Sequence, residues 1–207
     1  MFEQYFFGKE LKSLDSPNVP NFTEPKRKLW SERVAAAKKN IQFLKLDNSL
    51  EAPREKKKIV VLDFHNVFDE NLQKSVQQCS KWNELGYEVH VCSFVGKGGY
   101  LHAELLATFE DPSLQKVIRS LIVVFDRKHL KKGKGSIIKM FGDNEDVPLF
   151  FVDDGVENLV NVYQVNKPLK QNIHLVHYVS VPSTRKYESE PYTKRIDNFD
   201  KLISYIS

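Results

Sequence analysis

Two apolar tetrads, each running directly into a carboxylate, constrain this chain more than any other feature. Ile59-Val60-Val61-Leu62 is followed by Asp63, and Leu149-Phe150-Phe151-Val152 by Asp153 and Asp154. Continuous apolar runs of this length read as strands buried on both faces, as in a parallel sheet. In open α/β sheets, ligands bind beyond the carboxyl ends of the strands. Two strands ending in acids therefore predict an oxygen-rich site on one sheet edge. Such a site suits a divalent cation, which can in turn hold a phosphate.

From Ile59 onward, strand-like and helix-like segments alternate, the signature of a parallel sheet. Leu72, Val76, Cys79, Trp82 and Leu85 recur at helical spacing, and Gly86 ends that helix. Residues 88–93, 121–125, 149–152 and 172–178 supply the later strands. Residues 100–109, 134–141 and 156–165 read as helices, and Asp197 caps a final one with Phe199, Leu202, Ile203 and Ile206 on its apolar side. The expected fold is a three-layer, Rossmann-like α/β domain over residues 59–207, with a parallel sheet of about five strands flanked by helices. A linker (51–58) and an N-terminal helical extension (1–50) precede it.

The extension differs in composition. Residues 1–58 carry 13 Lys and Arg against 8 Asp and Glu, while the remainder carries 18 against 19. The net charge of +4 thus arises from the extension, so the α/β domain as a whole lacks the basic excess of a nucleic-acid binder. An aromatic start (Phe2, Tyr5, Phe6, Phe7) gives way to a predicted helix opened by Thr23 and Pro25. Trp30, Val34, Ala37, Ile41 and Leu44 form its apolar stripe, and lysines and arginines its other faces. This reads as an arm that docks on its own domain or on a protein partner, with a solvated basic face. No apolar run reaches membrane-spanning length, and no signal peptide is recognisable. Cys79 and Cys92 make no disulfide framework and fall in core patterns. An intracellular, reducing compartment is expected, cytoplasmic or nuclear.

Four elements converge under this topology: Asp63 after strand one, Ser93 ending strand two, Lys134 opening the helix after strand three, and Asp153 with Asp154 after strand four. Lys134 is preferred over Lys132 because Gly135-Ser-Ile-Ile follows it as a helix start. Order and spacing over about residues 58–180 resemble the haloacid dehalogenase-like superfamily, and Phe150-Phe-Val-Asp-Asp-Gly-Val-Glu-Asn158 is the most family-like segment. The resemblance implies a magnesium-dependent phosphohydrolase. Asp63 would attack phosphorus and form an aspartyl-phosphate. Ser93 would hydrogen-bond a phosphoryl oxygen, and Lys134 would balance the charge of nucleophile and phosphate. Asp63, Asp153, Asp154 and the backbone carbonyl of His65 would hold Mg2+.

His65 departs from that pattern. The family's phosphatases carry a second Asp two residues after the nucleophile, which protonates the leaving oxygen and later activates water. Here the run is Asp63-Phe-His65-Asn-Val67. The backbone carbonyl survives any side chain, but the acid/base role does not. Imidazole has a suitable unperturbed pKa near 6.5, yet beside a dication and Lys134 its protonated form is disfavoured, making it a base and a poor acid.

The gaps between these elements leave no room for a cap domain, and within the family an open site accompanies protein or nucleic-acid substrates. The leading expectation is a capless phosphohydrolase acting on a phosphorylated macromolecule or nucleic-acid end. A second is a catalytically impaired pseudophosphatase serving as a binding module. A third is a metal-dependent ribonuclease, since Asp63-Phe-His-Asn66 also resembles the opening of small parallel-sheet nucleases. Of the remaining histidines, His90 reads as core filler and His102 and His129 as surface or loop. His174 and His177 would point to opposite faces of one strand. Gly96-Lys-Gly-Gly99 reads as a turn.

Overall fold

The computed structural model describes residues 57–95, 100–124, 133–142, 146–167, 171–180 and 190–207. Expectations for the N-terminal arm, the glycine turn at 96–99, His129 and Lys132 lie outside these residues.

The described chain forms one six-stranded sheet in the order β3-β2-β1-β4-β5-β6, with every neighbouring pair parallel. The strands are β1 (Lys58–Leu62), β2 (Tyr87–Phe94), β3 (Ser120–Val124), β4 (Leu149–Asp153), β5 (Ile173–Tyr178) and β6 (Lys194–Ile196). The helices are α1 (Leu72–Glu84), α2 (Tyr100–Thr108), α3 (Pro112–Val117), α4 (Gly133–Gly142), α5 (Val156–Val165) and α6 (Phe199–Ile206). This is a Rossmann-like α/β layout with one strand more than expected. Among the described residues, no helix is long and apolar enough to cross a membrane.

Side-chain alternation splits the core into two layers. Val60 and Leu62 of β1 face α1, α2, α3 and α6, where Trp82, Leu105, Leu114 and Leu202 are wholly buried. Ile59 and Val61 face α4 and α5, against Ile138, Leu159 and Val162. Burying a side chain of this size contributes about 1.5–3 kcal/mol, so both faces of β1 are strongly specified and its register is fixed.

From β1 the chain moves outward to β2 and β3 with its helices on one face. It then returns to the other side of β1 as β4, with α4 and α5 on the opposite face. The strand order therefore reverses between β1 and β4, which opens a crevice beyond their carboxyl ends. The Asp63 amide donates to the Val152 carbonyl (2.8 Å) at that point, tying the two strands where they end.

Several local expectations change. Asn198, not Asp197, caps α6: its side chain accepts from the Lys201 amide (2.9 Å), while Asp197 receives the Lys201 ammonium (2.7 Å). His102 is a core residue of α2 at 1% exposure rather than a surface one. Burial pushes its pKa down to about 4. Leu85 ends the predicted stripe of α1 but is 49% exposed, and Gly86 follows at φ 85°. Cys79 and Cys92 are buried and unpaired, as their patterns predict.

A close approach between α4 and α5 sets the position of the residue before Gly135. The Gly135 amide donates to Asn161 Oδ1 (2.9 Å), and Asn166 Nδ2 donates to the Gly135 carbonyl (3.1 Å). A Cβ at position 135 would stand 2.8 Å from Val165 Cβ and 2.9 Å from the Asn161 carbonyl oxygen. Gly135→Ala should therefore cost about 1–3 kcal/mol, the usual range for overpacking, read as a lower urea midpoint at unchanged slope.

Candidate metal centre

The turn after β1 is shaped by its own backbone. Asp63 remains extended (φ −63°, ψ 155°), and its Oδ1 accepts from the Phe64 amide at 2.8 Å. The Asp63 carbonyl accepts from the Phe68 amide (3.2 Å), closing a wide loop. Phe64, Val67 and Phe68 anchor that loop in the core. His65 is extended inside it, and Asn66 takes a left-handed conformation (φ 58°, ψ 7°), which asparagine tolerates better than most residues. From there Asn66 Nδ2 donates to Asp154 Oδ2 (2.9 Å), 88 residues away, and its amide donates to Asp69 Oδ1 (2.6 Å).

Four of the expected residues meet at this edge. Lys134 Nζ lies 2.9 Å from Asp63 Oδ1 and 2.6 Å from Asp153 Oδ2, at 2% exposure. The other Asp153 oxygen accepts from the Gly155 amide (2.8 Å) and Asn158 Nδ2 (2.9 Å). Asp63, Asp153 and Asp154 bring one ligand oxygen each within 4.8 Å of one another, a cluster able to hold a metal ion. Among the described residues, Asp63 Oδ1 takes two donors and Oδ2 takes none.

The electrostatics fit a dication. Burial opposes the charge on Lys134, but Asp153 and Asp63 outweigh it and hold the amine's pKa above its ordinary value. One lysine does not compensate three acids. Burial raises the pKa of Asp63, and burial with the charge of Asp153 raises that of Asp154. Burial pushes Asp153 up to about 6. Carboxylates under-compensated in this way bind a cation at the expense of a proton. Burial similarly drives the nearby Cys92 thiol up to about 12, so it is inert.

Ser93 and His65 also reach the edge, and they face each other. Ser93 is buried, with Oγ 3.3 Å from His65 Nδ1. His65 Nε2 is buried without a hydrogen-bond partner. Burial, and then the charge of Lys134, lower its pKa to about 4, so the ring is neutral at physiological pH. Every expected site residue thus lies at one edge.

Two residues complete the site without having been assigned a role in the leading expectation. Asn66 orients Asp154. His177 pairs in register with Asp153 on β5, and its side chain hydrogen-bonds the Asp154 main chain. The alternation Ile173, Leu175, His177 carries a signal for the second, because it places that histidine on the same sheet face as Asp153. His174 points the other way and stacks on Phe150 (4.7 Å).

Around the rim, the Asp69 carboxyl is pushed up to about 6 by burial, with Glu104 and Asp154 adding to the shift. Between β1 and β2 there is only this loop, a short 3-10 turn (Asp69–Asn71) and α1, so nothing inserted there covers the crevice. Neither a scan against protein-family models nor a search of curated proteins finds a match to this chain, so the geometry of this edge carries the functional reading.

Proposed function

We propose that this edge is a magnesium-dependent phosphoryl-transfer centre of the haloacid dehalogenase type, in which Asp63 is the nucleophile. The supporting observation is the triangle of Lys134, Asp63 and Asp153 beside Asp154, at the point where the strand order reverses. Asp63, Asp153 and Asp154 would hold the ion, with the His65 carbonyl as a further oxygen. Bound there, Mg2+ supplies charge neutralisation for phosphoryl oxygens.

The chain's own groups account for the rest. Lys134 and the Phe64 amide hold Asp63 Oδ1, which leaves Oδ2 to meet phosphorus. An Oδ–P bond forms and the P–O bond to the leaving group breaks, giving an aspartyl-phosphate and an alkoxide or phenoxide that takes up a proton. Water then attacks phosphorus, returning the Asp63 carboxylate and inorganic phosphate. Ser93 Oγ, now 3.3 Å from His65 Nδ1, would turn to donate to a phosphoryl oxygen. A crevice with no insertion between β1 and β2 suits a phosphate displayed on a macromolecule, whether a protein or a nucleic-acid end.

His65 supports a refinement of this reading. Held neutral by burial and then by the charge of Lys134, it gives the leaving group no proton. Turnover should therefore favour leaving groups stable as anions: aryl phosphates should be hydrolysed and alkyl phosphates barely. His65→Asp should raise alkyl phosphate turnover by about 10²–10⁴-fold, the usual contribution of a positioned acid/base. The same residue favours a second reading, a pseudophosphatase that binds metal and phosphate without turnover. Phosphate release with added Mg2+ separates the two, across an aryl phosphate, a phosphopeptide and a phosphorylated oligonucleotide. Magnesium-dependent release supports the enzyme; magnesium binding with no release from any of these supports the binding module.

A further inference from the structure

The described chain begins at Lys57, whose amide donates to the Gly86 carbonyl (3.1 Å) in the turn between α1 and β2. That turn lies at the amino ends of β1 and β2, the sheet edge opposite Asp63. Beside it, α1, the start of β2 and α3 border a groove of about 670 Å3. Val76 and Val117 contribute to its apolar lining, and Glu84, Glu88, Lys116 and Arg119 to its charged lining. In the same turn Leu85 is 49% exposed, the one large hydrophobic among the described residues that is exposed.

We propose that this groove receives the chain's own N-terminal segment, with the stripe Trp30, Val34, Ala37, Ile41 and Leu44 lying along it. Two observations single out that occupant. The segment joins the domain at the groove's margin, through Lys57 and Gly86. Twelve residues, 45–56, separate the stripe from Lys57, a reach of up to ~40 Å when extended, ample for folding back beside the anchor. The tether also sets a local concentration on the order of millimolar, so modest apolar burial suffices to hold the segment down. An amphipathic helix of this kind seats its apolar stripe in a groove through anchors three to four residues apart. The arm then lies away from the metal centre.

The two tryptophans make a direct test with the full-length chain. Trp82 is wholly buried, which leaves Trp30 as the quencher under test. Cys79 and Cys92 are buried with thiols shifted up, so a bimane label goes to an introduced cysteine. Ser113→Cys and Gln77→Cys place the label at the groove on two different helices, and Glu157→Cys places it on exposed α5 next to the metal centre. The expected result is loss of bimane emission at 113 and 77 that Trp30→Phe restores, independent of protein concentration, with no Trp30-dependent loss at 157. Emission insensitive to Trp30→Phe at both groove positions overturns the proposal. So does quenching that grows with concentration, which assigns the groove to a second copy, or quenching at 157 alone, which places the arm over the metal centre.

Discussion

Asp63→Asn should abolish magnesium-dependent phosphate release while leaving the fold intact. The amide is nearly isosteric and its carbonyl oxygen still accepts from the Phe64 amide and Lys134, now the contacts of Oδ1. What disappears is the anion that attacks phosphorus. Losses on the order of 10⁴-fold or more accompany removal of a covalent nucleophile, so residual release should fall to background in a discontinuous phosphate assay. Stability should move the other way. Asp63 is buried with its pKa raised above the ordinary carboxylate value, so its charged form opposes folding at neutral pH. In chelator the variant should melt no lower than wild type and respond less to added Mg2+. A variant that keeps measurable turnover would remove Asp63 from the role of nucleophile.

Lys134→Met should produce the largest change in stability. The substitution leaves Asp63 and Asp153 facing each other in the interior with no cation between them. Breaking a buried pair by removing one partner costs about 3–5 kcal/mol, which for a domain of this size lowers the melting temperature by roughly 10 °C. The deficit should depend on pH with a definite sign. Asp153 in the fold holds its proton up to about 6, against 3.8 for an ordinary aspartate. Between those values the folded state binds more protons than the unfolded chain, so this group favours folding at low pH, and its contribution is lost as pH rises through about 6. Without Lys134 that dependence strengthens. The gap between variant and wild type, melted in chelator, should be widest near about pH 8 and narrow toward about pH 5. Magnesium should stabilise the variant more than wild type, because a dication replaces the missing positive charge. A pH-independent gap would mean that the lysine serves packing rather than charge balance.

The central strands were legible because burial on both faces leaves uninterrupted apolar runs, and two such runs end at Asp63 and Asp153. Lys134 was legible because a helix start follows it directly, and the structure places its ammonium between two carboxylates. What escaped lies where sequence neighbours say little about spatial ones. Asn66 reaches Asp154 across 88 residues, and only the left-handed turn at Asn66 aims it there. The 3.3 Å contact of His65 with Ser93 likewise depends on a loop whose path no periodicity encodes. β6 has three residues, two of them exposed cations, so it lacks the apolar run that marks a strand. Its pairing is set by β5 instead, where His177 sits opposite Arg195. Asp197 and Asn198 are both good helix caps, and the backbone decides between them.

β6 has a consequence for association. A parallel sheet ends in rows of unpaired amides and carbonyls that invite another chain to add on and build fibrils. On this side the terminal strand among the described residues is only Lys194–Ile196, and Lys194 and Arg195 are exposed. An incoming strand would gain a short ladder and meet two cations. Growth of ordered aggregates from this margin is thereby discouraged.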